Sequence, residues 1–478
     1  MASKREQLQS YQFLVQRMVS ALVIRESDPE QPPFRRSRAA AIGSVVIAAI
    51  VTAVVFVYGL IVPGGNTSWQ AGDVVIVEKG TGTRFVYLDE RLHQVENYAS
   101  ALLAIGQHAE TVRVSSNSLA GVPRGPRIGI DGAPDELPPA EQLLDGAWTM
   151  CSEPAEDESG SAVHEAVLLV GRTPPGGRAA GNAAMLVEVQ RGGDDSDRYL
   201  IWGGYRHRVD EDDAEVVDLT LGTQPWTQVS QTFIDVLPAG EPISSIEQRD
   251  LGKRSRAIPD RPETRVGQLF AVETSGGQVQ HYVAEEEQLR PITPFQLDIQ
   301  LATPEVGKAY DGEAPFRIPL EATVAAEASR LPKKEKVEAS RLPTSKPEFV
   351  GPSTSEGSVC ARFGPGRSTP RLLVDPAMPA PDPMMQTART AGTKTALADR
   401  VIVPPGHAVV VEAMASDTTP RGTYSVVTDI GHAHPLADPE LLDVLGYAGV
   451  EPVRMPAWLV ARIPLGSGLD PDAALGQP

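Results

Sequence analysis

This sequence predicts an α+β fold held outside a membrane by one N-terminal transmembrane helix, and three observations predict it. One is an uncharged run from Ala39 to Val62. Another is a fourfold recurrence of a strand hairpin followed by helical sequence. The last is a single pair of cysteines, Cys151 and Cys360, both beyond the uncharged run.

The N-terminal segment reads as an amphipathic helix over residues 4–24. Leu8, Tyr11, Val15, Met18, Val19 and Leu22 fall at helical spacing and form an apolar stripe suited to a partner or to a membrane face. The stripe residues Leu8, Tyr11, Val15, Met18 and Leu22 are the expected contacts of a cytoplasmic partner. The uncharged run has 24 residues, and about 20 apolar helical residues cross a bilayer core. A cleaved signal peptide has a shorter apolar region and ends in small residues. Here 38 residues precede the run, and Pro63-Gly64-Gly65 follows it. Arg35, Arg36 and Arg38 stand directly before the span, which places the N-terminus in the cytoplasm.

Residues 1–38 carry seven Lys/Arg and four acids, a net of +3. The whole chain is at −19, so the remainder is at −22. A domain this acidic repels phosphates, which excludes nucleic acid as a partner. Gly (43) and Pro (42) are plentiful and aromatics only 5%, which favours short elements and many turns. Outside the cytoplasm the two thiols are expected as one disulfide, the alternative being two separate buried thiols. The bond would close a loop of about 210 residues, contributing on the order of 4–5 kcal/mol through chain entropy.

Each repeat opens with an apolar strand ending in an acid: Val75–Glu78, Met185–Glu188, Phe270–Glu273 and Val409–Glu412. A turn follows, then a second strand starting near Phe85, Tyr199, Tyr282 or Tyr424, so each pair reads as a hairpin. Helical sequence comes next, such as 439–447 with Leu441, Leu442 and Leu445 on one face. Each segment closes with an apolar-Pro pair. Three read apolar-Pro-x-Gly-x-x-apolar, from Val122 to Ile128, Leu237 to Ile243 and Ile463 to Leu469, and Ile318-Pro319 is the glycine-less fourth. From the aromatic to this pair the spacings are 37, 38, 36 and 39 residues. The expected organisation is a cytoplasmic tail over 1–38, an anchor over 39–62, and repeats over 70–132, 181–247, 264–321 and 400–474. A β-rich central unit lies in two parts, at 140–180 and 357–375. The interval 322–356 holds Lys333-Lys334-Glu335-Lys336 and two copies of Glu-Ala-Ser-Arg-Leu-Pro, which reads as a flexible linker.

No catalytic site emerges, and no cofactor or metal is expected. The Gly-Lys pairs Gly252-Lys253 and Gly307-Lys308 lack the rest of a phosphate cradle. Gly80-Thr81-Gly82-Thr83 falls at a hairpin turn, where glycine supplies positive φ. Counting eight residues from each aromatic gives His93, His207, Arg290 and His432, a scaffold position more than a zinc ligand. The acidic clusters 210–213 and 285–287 lack the ligand spacing of a calcium loop.

The residues nevertheless resemble a family. Arg5-Glu6-Gln7-Leu8-Gln9-Ser10-Tyr11-Gln12-Phe13, Ser20-Ala21-Leu22, Tyr58-Gly59-Leu60 and Trp69 carry the resemblance at the start. Gly80-Thr81-Gly82, Arg84-Phe85-Val86-Tyr87 and Asn97-Tyr98 continue it. Val426-Val427-Thr428-Asp429-Ile430-Gly431, Leu445-Gly446-Tyr447 and Pro452-Val453-Arg454 complete it. The chain is similar to EccB, a membrane-complex component of type VII (ESX) secretion systems of mycobacteria and related actinobacteria. The first repeat departs from it, with His93-Gln94-Val95 where a central proline is usual. The resemblance implies a structural subunit supporting export of WXG100-type proteins. Implied partners are EccC, EccD and EccE, a mycosin protease, and further copies of the outer domain. Family descriptions as an ATPase leave a nucleotide hydrolase as one alternative; a cell-envelope binding module is another.

Overall fold

The computed structural model describes residues 3–24, 35–61, 67–328 and 342–478, apart from 158, 193–194, 223, 275, 355, 381–385 and 388–394. Val62, Pro63-Gly64-Gly65 and the Lys333–Lys336 tract lie outside the described residues. Helix α1 (Lys4–Ile24) is followed by α2 (Arg35–Ile61). The span Arg38–Tyr58 has a mean hydropathy of 2.7, and its apolar side chains face outward on every side. A helix apolar all round and unburied within the protein belongs in a bilayer.

Repeat 1 is built from β1 (Val75–Glu78), β2 (Arg84–Leu88), β3 (Arg91–Gln94), α3 (Tyr98–Ile105) and β4 (Thr111–Val114), in the sheet order β3-β2-β1-β4. The helix starts where it does because Asn97 caps it, accepting from Ser100 N at 3.0 Å. Gly106 at φ 79° ends it in the left-handed conformation. The central unit begins with β5 (Trp148–Glu156), β6 (Ala162–Leu169) and β7 (Arg178–Ala179). Repeat 2 follows as β8 (Met185–Gly192), β9 (Asp195–Trp202), β10 (Tyr205–Arg208), α4 (Ala214–Leu221) and β11 (Thr227–Gln228), with a short α5 (Gln231–Asp235) behind it. Repeat 3 is β12 (Leu269–Glu273), β13 (Val279–Ala284), β14 (Leu289–Ile292), α6 (Pro294–Ala302) and β15 (Arg317–Pro319). The central unit resumes with β16 (Val359–Phe363), β17 (Arg371–Val374) and β18 (Arg400–Ile402). Repeat 4 closes the chain as β19 (Val409–Met414), β20 (Thr423–Val427), β21 (Ala433–Pro435) and β22 (Val453–Pro456). All four repeat sheets share one order, in which the last strand runs parallel to the first.

The central sheet has the order β18-β6-β5-β16-β17-β7. Cys151 on β5 pairs directly with Cys360 on β16, their Cα atoms are 4.0 Å apart, and a disulfide joins them across 209 residues. β18 was expected in repeat 4, but it runs parallel to β6. The Asp399 carboxylate accepts from Ala166 N at 2.7 Å, and the buried Arg400 pairs with Glu153 and Glu165.

Packing groups the repeats in pairs. The apolar face of α3 (Ala99, Leu102, Leu103) shares a core with Leu441, Leu442, Leu445 and Tyr447 of repeat 4. Val216, Val217 and Leu221 of α4 share another with Phe295 and Ile299 of α6, joining repeats 2 and 3. The largest core joins the central sheet to repeats 2 and 4 through Trp148, Met150, Val187, Ile201, Val411 and Met455. The connectivity of packing is therefore repeat 1, repeat 4, central sheet, repeat 2, repeat 3.

Two expectations are corrected here. Ile318 pairs with Phe270, as Val112, Thr227 and Val453 pair with Ile76, Val187 and Val411. Ile318-Pro319 is thus the fourth strand of repeat 3 and not a Pro-x-Gly loop. The helical turns of Pro304–Tyr310, inserted before it, bring its spacing into line with the others. The interval 322–356 is not flexible throughout: Ala322–Glu327 is a helix. Farther on, Glu348 O and Val350 N both bond to Ala184, and Thr344 O accepts from Phe295 N.

The hairpin turn between β2 and β3 places Asp89 and Glu90 at φ 48° and 59°, where repeat 2 has Gly203 and Gly204 at 61° and 84°. Side chains resist this left-handed region. Exchanging Asp89-Glu90 for Asn-Gly is expected to stabilise the protein by about 1 kcal/mol. Chemical denaturation would read this as a raised midpoint at unchanged slope.

Candidate functional site

The residues divide into the exposed surface of α1 and a set of locks in the domain that follows the anchor. On α1 the sequence-predicted stripe is open: Leu8, Tyr11, Val15, Met18 and Leu22 are all exposed. Leu14 and Val23, also exposed, widen it, while Phe13 lies on the opposite side with the Arg17 guanidinium 5.4 Å from its ring. A helix this apolar on its surface needs a lipid or protein cover.

In the domain after the anchor the three Pro-x-Gly loops add an extra edge beside the third strand of their repeats, each with the same bonds. Leu92 N donates to Pro123 O, and Gly125 N to Leu92 O. Arg206 N and Gly240 N repeat the pattern with Pro238 O and Arg206 O, and Ala433 N and Gly466 N with Pro464 O and Ala433 O. A histidine on the third strand fills the space above each glycine. The Nδ1 atoms of His93, His207 and His434 lie 3.0, 2.7 and 3.1 Å from the carbonyls of Pro126, Glu241 and Ser467. A Cβ built on Gly125, Gly240 or Gly466 would sit 2.2, 2.3 or 2.3 Å from the ring. Glycine is required at these positions by close approach alone, since none of the three has positive φ.

The repeat position is therefore His93, His207, Arg290 and His434. These residues pair with Val86, Leu200, Val283 and Val426. His432 is displaced because the β20–β21 turn is one residue longer and Ser425, not Tyr424, stands opposite Val411. Repeat 3 has neither the histidine nor the glycine, and Arg290 instead binds Glu285 at 2.7 Å. Burial lowers the affinity of His207 and His434 for a second proton. For His207 the carbonyl of Glu241 opposes this. For His434 that of Ser467 does so, while His432 adds to the lowering.

The other flagged residues take structural places. Gly80 and Gly82 have φ 104° and 73° in the β1–β2 turn, and a strand follows them where a phosphate cradle would open a helix. Glu211 pairs with Arg191 and Arg208, Asp210 caps Asp212 N, and Glu286 and Glu287 pair with Arg256. Among the described residues no group of three or more His, Cys, Asp or Glu is placed to hold a metal. Two open grooves, of about 650 and 580 Å³, are lined respectively by repeats 1 and 4 with Asp135–Pro139 and Gln142, and by repeat 4 with Ala140, Leu143–Asp145 and Pro365-Gly366 of the central unit. Some of their charged groups are engaged: Arg84 with Asp135 at 2.8 Å, Arg454 with Glu412 at 3.1 Å, and Asp429 with Gly406 N at 2.8 Å. The arrangement is one of locks and contact faces. Sequence reasoning placed His93 and His207 on the scaffold but missed His434, and it did not see the pairing of each ring with a glycine.

Comparison with known proteins places these features in context. The family described as "Type VII secretion system ESX-1, transport TM domain B" matches residues 1–477. The chain is 26% identical over 492 residues to "ESX-2 secretion system ATPase EccB2" of Mycobacterium tuberculosis, covering 99% of this chain and 94% of the relative. It is 27% identical over 480 residues to "ESX-5 secretion system ATPase EccB5" of the same species, covering 96% and 90%. Its fold is similar to a chain of an intact ESX-5 inner membrane complex, with TM-score 0.63 and 23% identity over 100% of this chain and 96% of that one. It is also similar to the EccB3 dimer from the ESX-3 core complex, with TM-score 0.62 and 22% identity over 84% and 100%.

Proposed function

This chain belongs to the EccB family of type VII secretion membrane proteins, and from that premise we propose that it is a structural core subunit of an ESX-type inner-membrane complex, supporting export of WXG100-type proteins. The observation that carries the reading is the unbroken extent of the family match, 1–477, which takes in α1, the anchor and all four repeats together. Each part then has a task. The anchor fixes the chain in the bilayer, and the basic flank before it sets the N-terminus in the cytoplasm. The exposed stripe of α1 docks on the cytoplasmic parts of EccC, EccD or EccE. The acidic repeats meet further copies of themselves and a mycosin-type protease outside. The relatives' names include the word ATPase, but the turn around Gly80, followed by a strand where a phosphate cradle would open a helix, favours a subunit that leaves hydrolysis to a motor such as EccC.

Introducing aspartate at Leu8, Val15 and Met18 together tests this. The expected result is a chain that remains membrane-inserted with its disulfide intact but no longer migrates with a large complex on native gels. A stripe of this kind in a protein groove carries most of the docking energy. Unchanged co-migration would contradict the docking role of α1.

A further inference from the structure

The rings of His207 and His434 are 0% and 1% exposed, and each lies flat against a glycine backbone. Nδ1 faces a carbonyl and so carries the proton, which leaves Nε2 as a bare lone pair. Nε2 of both rings is buried without a hydrogen-bond partner. At His434 a second proton must therefore arrive at a buried atom with no acceptor, a costly place for charge.

His434 is the one whose loop also bridges two repeats. Ser467, whose carbonyl the ring holds, donates its own hydroxyl to Asp131 O of repeat 1. Gly129 N donates to Gly476 O at 3.1 Å close by, and the Pro471–Ala474 helix packs on α3. From this geometry we propose that His434 is an acid-sensitive latch on the junction of repeats 1 and 4: protonation of its Nε2 frees the loop 463–469 and loosens that loop's bonds to residues 129–132.

The ionisable groups on the surrounding segments are few. His432 precedes it on the same edge, Tyr424 lies on β20, Asp470 follows the loop, and Asp131 belongs to the opposing turn. His432 opposes protonation and the Ser467 carbonyl favours it, but burial is the larger influence and holds the folded value below the ordinary one. The sign follows: the neutral ring stabilises fully above the unfolded value near 6.5, and that contribution is lost as pH falls below it.

Hydrogen exchange on the full chain in detergent, compared as protection factors at about pH 7.5 and about pH 5, tests the latch. In the wild type, residues 129–133 and 463–476 are expected to lose about tenfold or more in protection at the lower pH, while β16 stays unchanged. His434→Asn keeps an amide donor near the Nδ1 position but has no titrating nitrogen, so its protection there should be independent of pH. Equal wild-type protection at both values, or an equal acid loss in the variant, would overturn the proposal. A variant that fails to fold leaves a direct reading on the wild type: the NMR titration of the His434 Cε1 proton. A midpoint at or above about 6.5 would overturn the latch, and one clearly below it is the expected result.

Discussion

Removing both Cys151 and Cys360 as serines is expected to cost on the order of 4–5 kcal/mol, a large share of the stability of a typical domain. The bond spans 209 residues, so in chain-entropy terms it removes many conformations from the unfolded chain. It also sits at the middle of the protein. β5 and β16 are neighbours in the central sheet, both sulfurs are buried, and repeats 2 and 4 pack on that sheet. The whole of repeats 2 and 3 lies within the closed loop. Denaturant unfolding of the oxidised wild type and the double serine variant measures the difference. Coincident midpoints would show that the sheet pairing β5–β16 holds without the covalent bond.

The second large effect lies at the histidine–glycine contact of repeat 4. Gly466→Ala is expected to cost about 2–3 kcal/mol, because a methyl group 2.3 Å from the buried His434 ring forces the loop or the ring to move. His434→Ala is expected to cost a similar amount, about 2–3 kcal/mol, by leaving a cavity and an unpaired Ser467 carbonyl. Combined, the two should cost less than their sum by about 1–2 kcal/mol, since the new methyl group enters the space the ring left. Gly468→Ala two residues on is the control: its Cβ would meet only Pro435 O at 3.9 Å, and the change should be close to neutral. A neutral Gly466→Ala, or strict additivity, would mean that the ring does not fill the glycine's space in solution.

The parts of the fold written in local pattern were legible in the sequence. Twenty-four uncharged residues before Pro63 can form little else than a membrane span, and the strand pairs around 75–88, 185–202, 269–284 and 409–427 are hairpins by their own periodicity. Two cysteines beyond the anchor read as one disulfide against the alternative of two separate buried thiols, and the structure joins them. Features that depend on register were not legible. An apolar-Pro pair is common, so Ile318-Pro319 matched a motif it does not belong to. One extra residue in the β20–β21 turn, together with Ser425 rather than Tyr424 standing opposite Val411, moved the count by two, from His434 to His432. The usable signal was the glycine: His93, His207 and His434 precede Gly125, Gly240 and Gly466 by 32, 33 and 32 residues. β18 contributes only three residues to its sheet, and no periodicity can assign so short a strand to β6. The pairing of repeat 1 with 4 and 2 with 3 rests on which helix faces meet, α3 on the Leu441–Tyr447 turn and α4 on α6. That information is spread across segments far apart in the chain.

Among the candidate functional residues, the α1 stripe was legible because amphipathic spacing is itself local. What covers the stripe is a property of the assembly. The measurement that bears most directly on this is purification through an affinity tag after Pro478, from membranes extracted with mild detergent, followed by native electrophoresis and mass spectrometry of the retained proteins. The expected result is a large multi-subunit assembly containing an FtsK/SpoIIIE-like motor ATPase alongside this chain. Recovery of the chain alone, or only as a dimer, under conditions that preserve its disulfide and fold would contradict its place as a core subunit of a secretion complex.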